Sequence, residues 1–204
     1  KHTNKKIYTI PFWVDDEKWF SIQNKQLLKE SFNFDEKSYL VGSFQRDTEK
    51  GKDLLPKLEK GPDILLKIIK KLNTNHSNLH IVLAGKRRGY LIKELKKEGI
   101  KFTYFEMIKN SQLNELYNCL DLYIVSSRCE GGPRAIVECG LTKTPIISTK
   151  VGIAPELMHE ESLFDSENWK SYASAKPNIE FLHNNVKHLT TYSHKKGFLK
   201  MLLN

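Results

Sequence analysis

Several features are scarce or missing in this 204-residue chain, and each scarcity removes a class of protein. Only three cysteines occur, Cys119, Cys129 and Cys139. They are odd in number and lack the paired spacing of a zinc site, which excludes a disulfide scaffold and favours a reduced, cytosolic setting. No run approaches the ~18 to 20 apolar residues of a membrane span. The polar opening Lys1-His2-Thr3-Asn4-Lys5-Lys6 precedes only a short apolar stretch, unlike a signal peptide. There is no internal repeat, no low-complexity tract, no G-x-x-x-x-G-K-[ST] loop and no G-x-G-x-x-G fingerprint after the first strand, so P-loop and ordinary dinucleotide readings are weak. What is abundant is positive charge: 33 Lys and Arg against 24 Asp and Glu give +9. That balance favours anionic partners, among them nucleotides, phosphorylated lipids and an anionic membrane surface. With 39% hydrophobic residues the chain still carries enough apolar material for a core.

The apolar residues fall in a recurring order. Short β-branched or aromatic runs at 38–42, 78–85, 101–107, 120–126 and 145–149, with a weaker one at 162–164, read as strands. Between them, 62–72, 90–98, 112–119 and 133–141 place apolar residues three and four apart, as in Ile64, Leu65, Ile68, Ile69 and Leu72. Strands alternating with helices imply βαβ crossovers and a mostly parallel, doubly wound α/β sheet, a Rossmann-like domain over residues 38–165. The unbroken runs Ile81-Val82-Leu83-Ala84 and Leu122-Tyr123-Ile124-Val125 fit strands covered on both faces. Residues 1–37 read as a linker leading in from another domain, with a further strand expected over 6–14. Residues 166–204 read as a helical tail, with helices over 178–187 and 195–203. Both flanks either pack on this domain or on something else.

In such a sheet, ligands bind beyond the carboxyl ends of the strands. Three glycine-bearing segments fall there: Gly42-Ser-Phe-Gln-Arg46, Gly85-Lys-Arg-Arg-Gly89 and Glu130-Gly-Gly-Pro-Arg134. In the third, Pro133 suits a first helical position, and Gly131 and Gly132 let a phosphate approach bare amides. Glu130 stands at the lip of this loop, and Glu138 lies about two turns into the helix. Carboxylates beside a pyrophosphate make sense where hydroxyls donate to them, so the pattern suits phosphates flanked by polyols: a nucleotide-sugar.

The run from Glu130 through Glu138 to Pro155-Glu156 resembles the E-x7-E block of group 1 retaining glycosyltransferases of the GT-B fold. The resemblance covers most of 38–165, and Ile10-Pro-Phe-Trp-Val-Asp15 is similar to the segment that enters the C-terminal domain of these enzymes. It implies that Glu130 meets the transferred sugar, that Gly131, Gly132 and nearby amides touch sugar and distal phosphate, and that Glu138 binds the ribose. It also implies an Arg and a Lys on the diphosphate, best matched by Arg46 and Lys60, with Lys50 a rival lysine. Met107 and Ile108 either frame the base or pack in the core. Gln45 stands where glycine is common, the 46–60 loop is long, and 152–154 lack the usual double glycine.

At this length there is no room for the N-terminal domain that holds the acceptor. The resemblance therefore implies the donor-binding half of a glycosyltransferase, as a fragment or a split subunit completed by a partner chain. No cofactor is implied beyond the nucleotide-sugar substrate. No metal is implied either: no D-x-D cluster is present, and Arg plus Lys take its role. The expected location is cytoplasmic, peripheral at a membrane at most. A non-catalytic nucleotide-binding module or pseudoenzyme of the same fold is the alternative. A nucleic-acid-binding protein is not expected, because the basic residues are spread along the chain and no recognition motif appears. Lys86-Arg87-Arg88 reads as a cleft rim or solvated run, and His183, His188 and His194 as surface residues.

Overall fold

The computed structural model describes residues 13–51 and 54–202. Its strands are β1 (Tyr39–Ser43), β2 (Leu79–Ala84), β3 (Phe102–Phe105), β4 (Leu122–Val125), β5 (Ile146–Thr149) and β6 (Leu163–Phe164). Among the described residues all six pair in parallel, in the order β3-β2-β1-β4-β5-β6. The chain thus winds outward from β1 to one edge, then returns to lay β4 on the other side of β1. The doubly wound sheet expected from the apolar runs is present.

Alternation along each strand feeds two cores. Leu40, Val82, Tyr123, Val125 and Ile146 point into one, with α4 (Asn110–Cys119) and α5 (Arg134–Thr142) over them. Val41, Ile81, Leu83, Leu122, Ile124 and Ile147 point into the other, under α2 (Pro62–Asn75) and α3 (Gly89–Lys97). Burial on both faces is why these strands carry so few polar residues.

The flanks pack on this same sheet domain. The expected strand over 6–14 lies outside the described residues up to residue 12; Val14 makes an isolated parallel bridge to Thr190. From there Trp19 is buried edge-on against Tyr117, ring centroids 5.5 Å apart. The Phe20 and Ile22 amides donate to the side chains of Asn114 and Asn118 on α4, at 3.1 and 2.8 Å. A helix that the apolar pattern does not announce, α1 (Lys25–Ser31), follows. Leu28 packs it on the core and two lysines tie it down: Lys25 Nζ lies 2.7 Å from Asp121 Oδ1, and Lys29 Nζ donates to the Ser38 carbonyl at 2.8 Å. The tail forms a 3-10 turn (Trp169–Ser174), then α7 (Ile179–Val186) and α8 (Thr191–Leu202), the last beginning four residues earlier than expected. Short α6 (Ala154–Leu157) opens after β5, with Glu156 in its first turn. His183 is half-buried, its Nδ1 2.9 Å from the Gly140 carbonyl, so it is less of a surface residue than its isolation in sequence suggests. No helix among the described residues is long and apolar enough to cross a membrane.

His80 on β2 is enclosed, its Nε2 2.8 Å from Thr103 Oγ1 and its ring edge-on to Phe34. Burial, aided by Lys101, pushes its imidazole from 6.5 down to about 4. The native group therefore refuses a proton that the unfolded chain accepts, so stability present above about pH 6.5 is lost as pH falls toward 4. At about 1.4 kcal/mol per pKa unit the loss is at most about 3 kcal/mol. Urea unfolding at pH 7.5 and 5.5 should show His80→Gln losing less stability on acidification than the parent; an equal loss would refute the assignment.

Candidate functional site

The switch point between β1 and β4 opens at their carboxyl ends, because the loops that leave these strands diverge there. A hollow of about 260 Å³ occupies that place, lined by Phe44, Gln45, Tyr117, Tyr123, Glu130, Gly132, Pro133, Arg134, Ala135 and Glu138. Both glutamates of the E-x7-E pattern therefore face one cavity.

Their surroundings differ. Glu138 sits on the first turns of α5, largely buried, and accepts from the Tyr117 hydroxyl at 2.8 Å; Arg134 stands 3.9 Å away, one turn back. Burial raises its pKa, against the pull of the Tyr117 bond and of Arg134. Tyr117 is itself fully buried, and its hydroxyl fixes which carboxylate oxygen stays available to the hollow. Glu130 is paired with Lys60 Nζ and lies 3.2 Å from Ser127 Oγ. Phe44 leans on Tyr117 and Tyr123 to close the hollow's apolar side, and its amide donates to Tyr123 OH at 2.9 Å.

Backbone contacts set the loop between β4 and α5. The carbonyl of Glu59 accepts from the amides of Arg128 and Cys129, at 2.8 and 3.2 Å. Arg128 returns with a bidentate pair to Asp63, both bonds 2.7 Å. Gly61, at φ +60°, lies so close to β4 that a Cβ would sit 1.8 Å from the Ser126 carbonyl oxygen. Lys60 is thereby carried on a 3-10 turn welded to the strand that leads to Glu130. From the other side Gly152, at φ +52°, presses on the carbonyls of Gly131 and Glu130; a Cβ there would lie 2.6 and 2.7 Å from them. Gly131 has no atom within 4 Å of a notional Cβ and stays open.

The expected residues do not all meet. Glu130, Gly132, Pro133 and Glu138 line the hollow, Lys60 joins it through Glu130, and Gly131 borders it in the same loop. Pro133 is not the first helical residue: at ψ 111° it caps the helix, which begins at Arg134. Arg46 is exposed one residue beyond the lining Gln45. Met107 and Ile108 lie outside the lining; Met107 is 77% exposed, and Ile108 packs against the core beneath α4. Arg88 is neither rim nor solvated: its side chain is fully buried, with Nε 2.8 Å from Asp47 Oδ2.

Two contributors escaped the sequence reading. Gln45 donates to the Lys60 carbonyl at 2.9 Å, and its Oε1 lies 3.2 Å from Ser127 Oγ, so it struts the β1 loop against both neighbours. Its place beside Arg46 was the available signal. Tyr117 looked like one more apolar position of α4, and only the fold brings it to Glu138.

A family model described as "Glycosyl transferases group 1" matches residues 25–194. No curated protein matches the chain significantly. Among solved structures, sucrose-phosphate synthase from Thermosynechococcus elongatus superposes with TM-score 0.73 at 15% identity, over 95% of this chain and 52% of that one. Anabaena HepE in complex with UDP and glucose gives 0.72 at 17% identity, over 94% and 55%. The C-terminal domain of a group 1 family protein, LpcC of Francisella tularensis, gives 0.62 at 16%, over 91% and 98%. The chain thus spans about half the length of the first two.

The two loop glycines should separate cleanly. Gly152→Ala is expected to lose at least about 2 kcal/mol, because left-handed backbone and a clash with two carbonyls add together. Gly131→Ala is expected to unfold with the parent. Thermal unfolding of both checks this, and equal stability of the two variants would contradict the packing described.

Proposed function

We propose that this chain, which belongs to the group 1 glycosyl transferases, is a donor-binding domain: it holds a nucleoside-diphosphate sugar for transfer, with retention, to an acceptor hydroxyl. The observation that carries this reading is the shared hollow of Glu130 and Glu138 at the switch point, with Lys60 already drawn to Glu130. The complex of HepE with UDP and glucose, a protein of the same fold, supports it.

On this reading Glu138 accepts from the ribose diol, held ready by Tyr117. Gly131, Gly132 and the first amides of α5 meet the phosphates, where helix dipole and unpaired N–H groups favour an anion. Glu130 accepts from hydroxyls of the sugar. Arg46 and Lys60 stabilise the diphosphate as the anomeric carbon–oxygen bond breaks and its electron pair departs with the leaving group. The new bond forms to the acceptor oxygen, held by the half of the enzyme that this chain does not span, and the proton of the acceptor hydroxyl passes to the departing diphosphate. Met107 and Ile108 follow β3 at the same edge of the sheet, so a base that reaches past the hollow would meet them.

The Lys60–Glu130 pair adds a constraint of sign. Lys60 must leave Glu130 to reach a diphosphate, so Glu130 competes with a ligand that lacks a sugar. With one that has a sugar, each partner gains a replacement.

A second reading shares the same hollow: a module that binds nucleotide without turnover. Thermal shift and calorimetric titration with UDP, GDP, ADP and their sugars address the binding. One diphosphate is expected to raise the unfolding midpoint. Glu138→Ala and Arg46→Ala are each expected to weaken it about tenfold or more, the worth of a lost charge-assisted bond. Glu130→Gln should bind the bare diphosphate at least as well as the parent, yet lose any preference for the sugar-bearing form. If no nucleotide binds, or if these variants bind like the parent, the donor-site reading fails. Sugar transfer after adding an acceptor-binding half distinguishes the enzyme from the silent module.

A further inference from the structure

We propose that the buried Asp47–Arg88 pair is the positioning device of Arg46, and so sets how well this site tells a diphosphate from a monophosphate. The inference rests on the donor-site reading and adds to it two residues outside the hollow.

Arg46 itself is exposed and has no ion-pair partner among the described residues. The two residues after it are buried and gripped from several directions. The amides of Asp47 and Thr48 both donate to the carbonyl of Arg87, at 3.1 and 3.2 Å. Arg87 adopts φ +59°, which turns that carbonyl toward them. Thr48 Oγ1 accepts from the Tyr90 amide at 2.8 Å and lies 2.6 Å from Asp47 Oδ1. The Lys57 amide donates to the Asp47 carbonyl at 2.8 Å, and Thr48 bridges Pro56, so both limbs of the long loop meet here. Under this knot lies the Arg88 guanidinium, facing Asp47 Oδ2 across 2.8 Å and wholly out of solvent.

A pair of charges is a poor choice if cohesion were the sole purpose, since withdrawing both from water costs about as much as their attraction returns. Arg88 shows that cost openly: none of its three guanidinium nitrogens has a hydrogen-bond partner among the described residues, nor has Asp47 Oδ2, so the two groups meet as charges in close contact. An apolar pair of similar volume would join the loops equally well. What buried opposite charges add is constraint, because a carboxylate that turned away would leave both charges uncompensated out of water. It fixes the orientation of Asp47 and hence of the preceding peptide, from which Arg46 projects at the carboxyl end of β1. A flexible cation on a fourteen-residue loop would otherwise lose much of its binding energy to ordering.

The test is a double-mutant cycle on the full chain, read by calorimetric titration with whichever of UDP, GDP or ADP binds, and with its monophosphate. Arg88→Lys keeps a positive charge but moves it off the point that Asp47 Oδ2 faces. It is expected to weaken diphosphate binding by about fivefold, a share of the about tenfold expected for Arg46→Ala. Monophosphate binding is expected to stay within about twofold, since no second phosphate is there to meet Arg46. In the Arg46→Ala background, Arg88→Lys should change diphosphate binding no further, because coupled residues are not additive. A merely structural role would lower both affinities together and by the same factor in both backgrounds, and either result overturns the proposal. Should Arg88→Lys fail to fold, Thr48→Val loosens the same knot with the charges kept and runs through the same cycle. If Arg46→Ala binds like the parent, the role of Arg46 falls and this inference with it. If Arg46→Ala weakens binding but the cycle is additive, the inference alone falls.

Discussion

Three backbone stretches are pressed together at the carboxyl ends of β1, β4 and β5, and the candidate site depends on their staying so. Gly61 lies on the Ser126 carbonyl and Gly152 on those of Glu130 and Gly131, at distances that no side chain permits. Between these two contacts the chain leaving β4 has no freedom except toward solvent. There it exposes Gly131 and Gly132 and turns Glu130 inward. Where ordinary loops gain order from side-chain packing, this one is held by main chain against main chain. That leaves its outer surface bare, as close approach of a phosphate requires.

Charge within this frame is compensated differently from group to group. Glu138 keeps company with a buried phenol, and burial pushes its pKa up. Glu130, buried to a similar degree, has a lysine partner carried on a separate loop. Arg46 is exposed, beyond the lining residues, and forms no ion pair among the described residues. The groups gathered at this edge are thus a buried acid held by a neutral phenol, a compensated acid–lysine pair and an unpaired cation.

The sheet was readable because it is buried on both faces: runs such as Leu122-Tyr123-Ile124-Val125 leave few other structures open. The Glu130–Glu138 spacing was readable because one loop and one helix fix it locally. What escaped depends on distant chain meeting distant chain. Tyr117 lies 21 residues from Glu138 in sequence and shows nothing polar in its helical pattern. Gln45 acts only because Lys60 and Ser127 come to it. Helix α1 owes its place partly to Lys25, Lys29 and Asp121, a contact of about ninety residues' separation that no local periodicity encodes. Arg88 misled for the same reason. A cationic triplet after a strand reads as solvated unless the carboxylate awaiting it, on another loop, is known.

These long-range contacts share an origin. In a doubly wound sheet the carboxyl edge collects loops far apart in sequence, and the chain reverses its direction of winding between β1 and β4. A ligand at that edge must be recognised by side chains on separate crossovers, each free to drift unless tied to its neighbour. The ties found here differ in kind, being two glycines against carbonyls, a bidentate Arg128–Asp63 clasp, the Gln45 strut and the buried Asp47–Arg88 pair. All of them join the β1 and β4 loops to the loops beside them, and among these tying side chains Gln45 alone also lines the hollow. Rigidity is thus supplied mostly from behind, which leaves the other residues facing the hollow free of a bracing role. The low identity to proteins of the same fold is compatible with that division, because contacts to a backbone carbonyl or amide place few demands on side-chain identity.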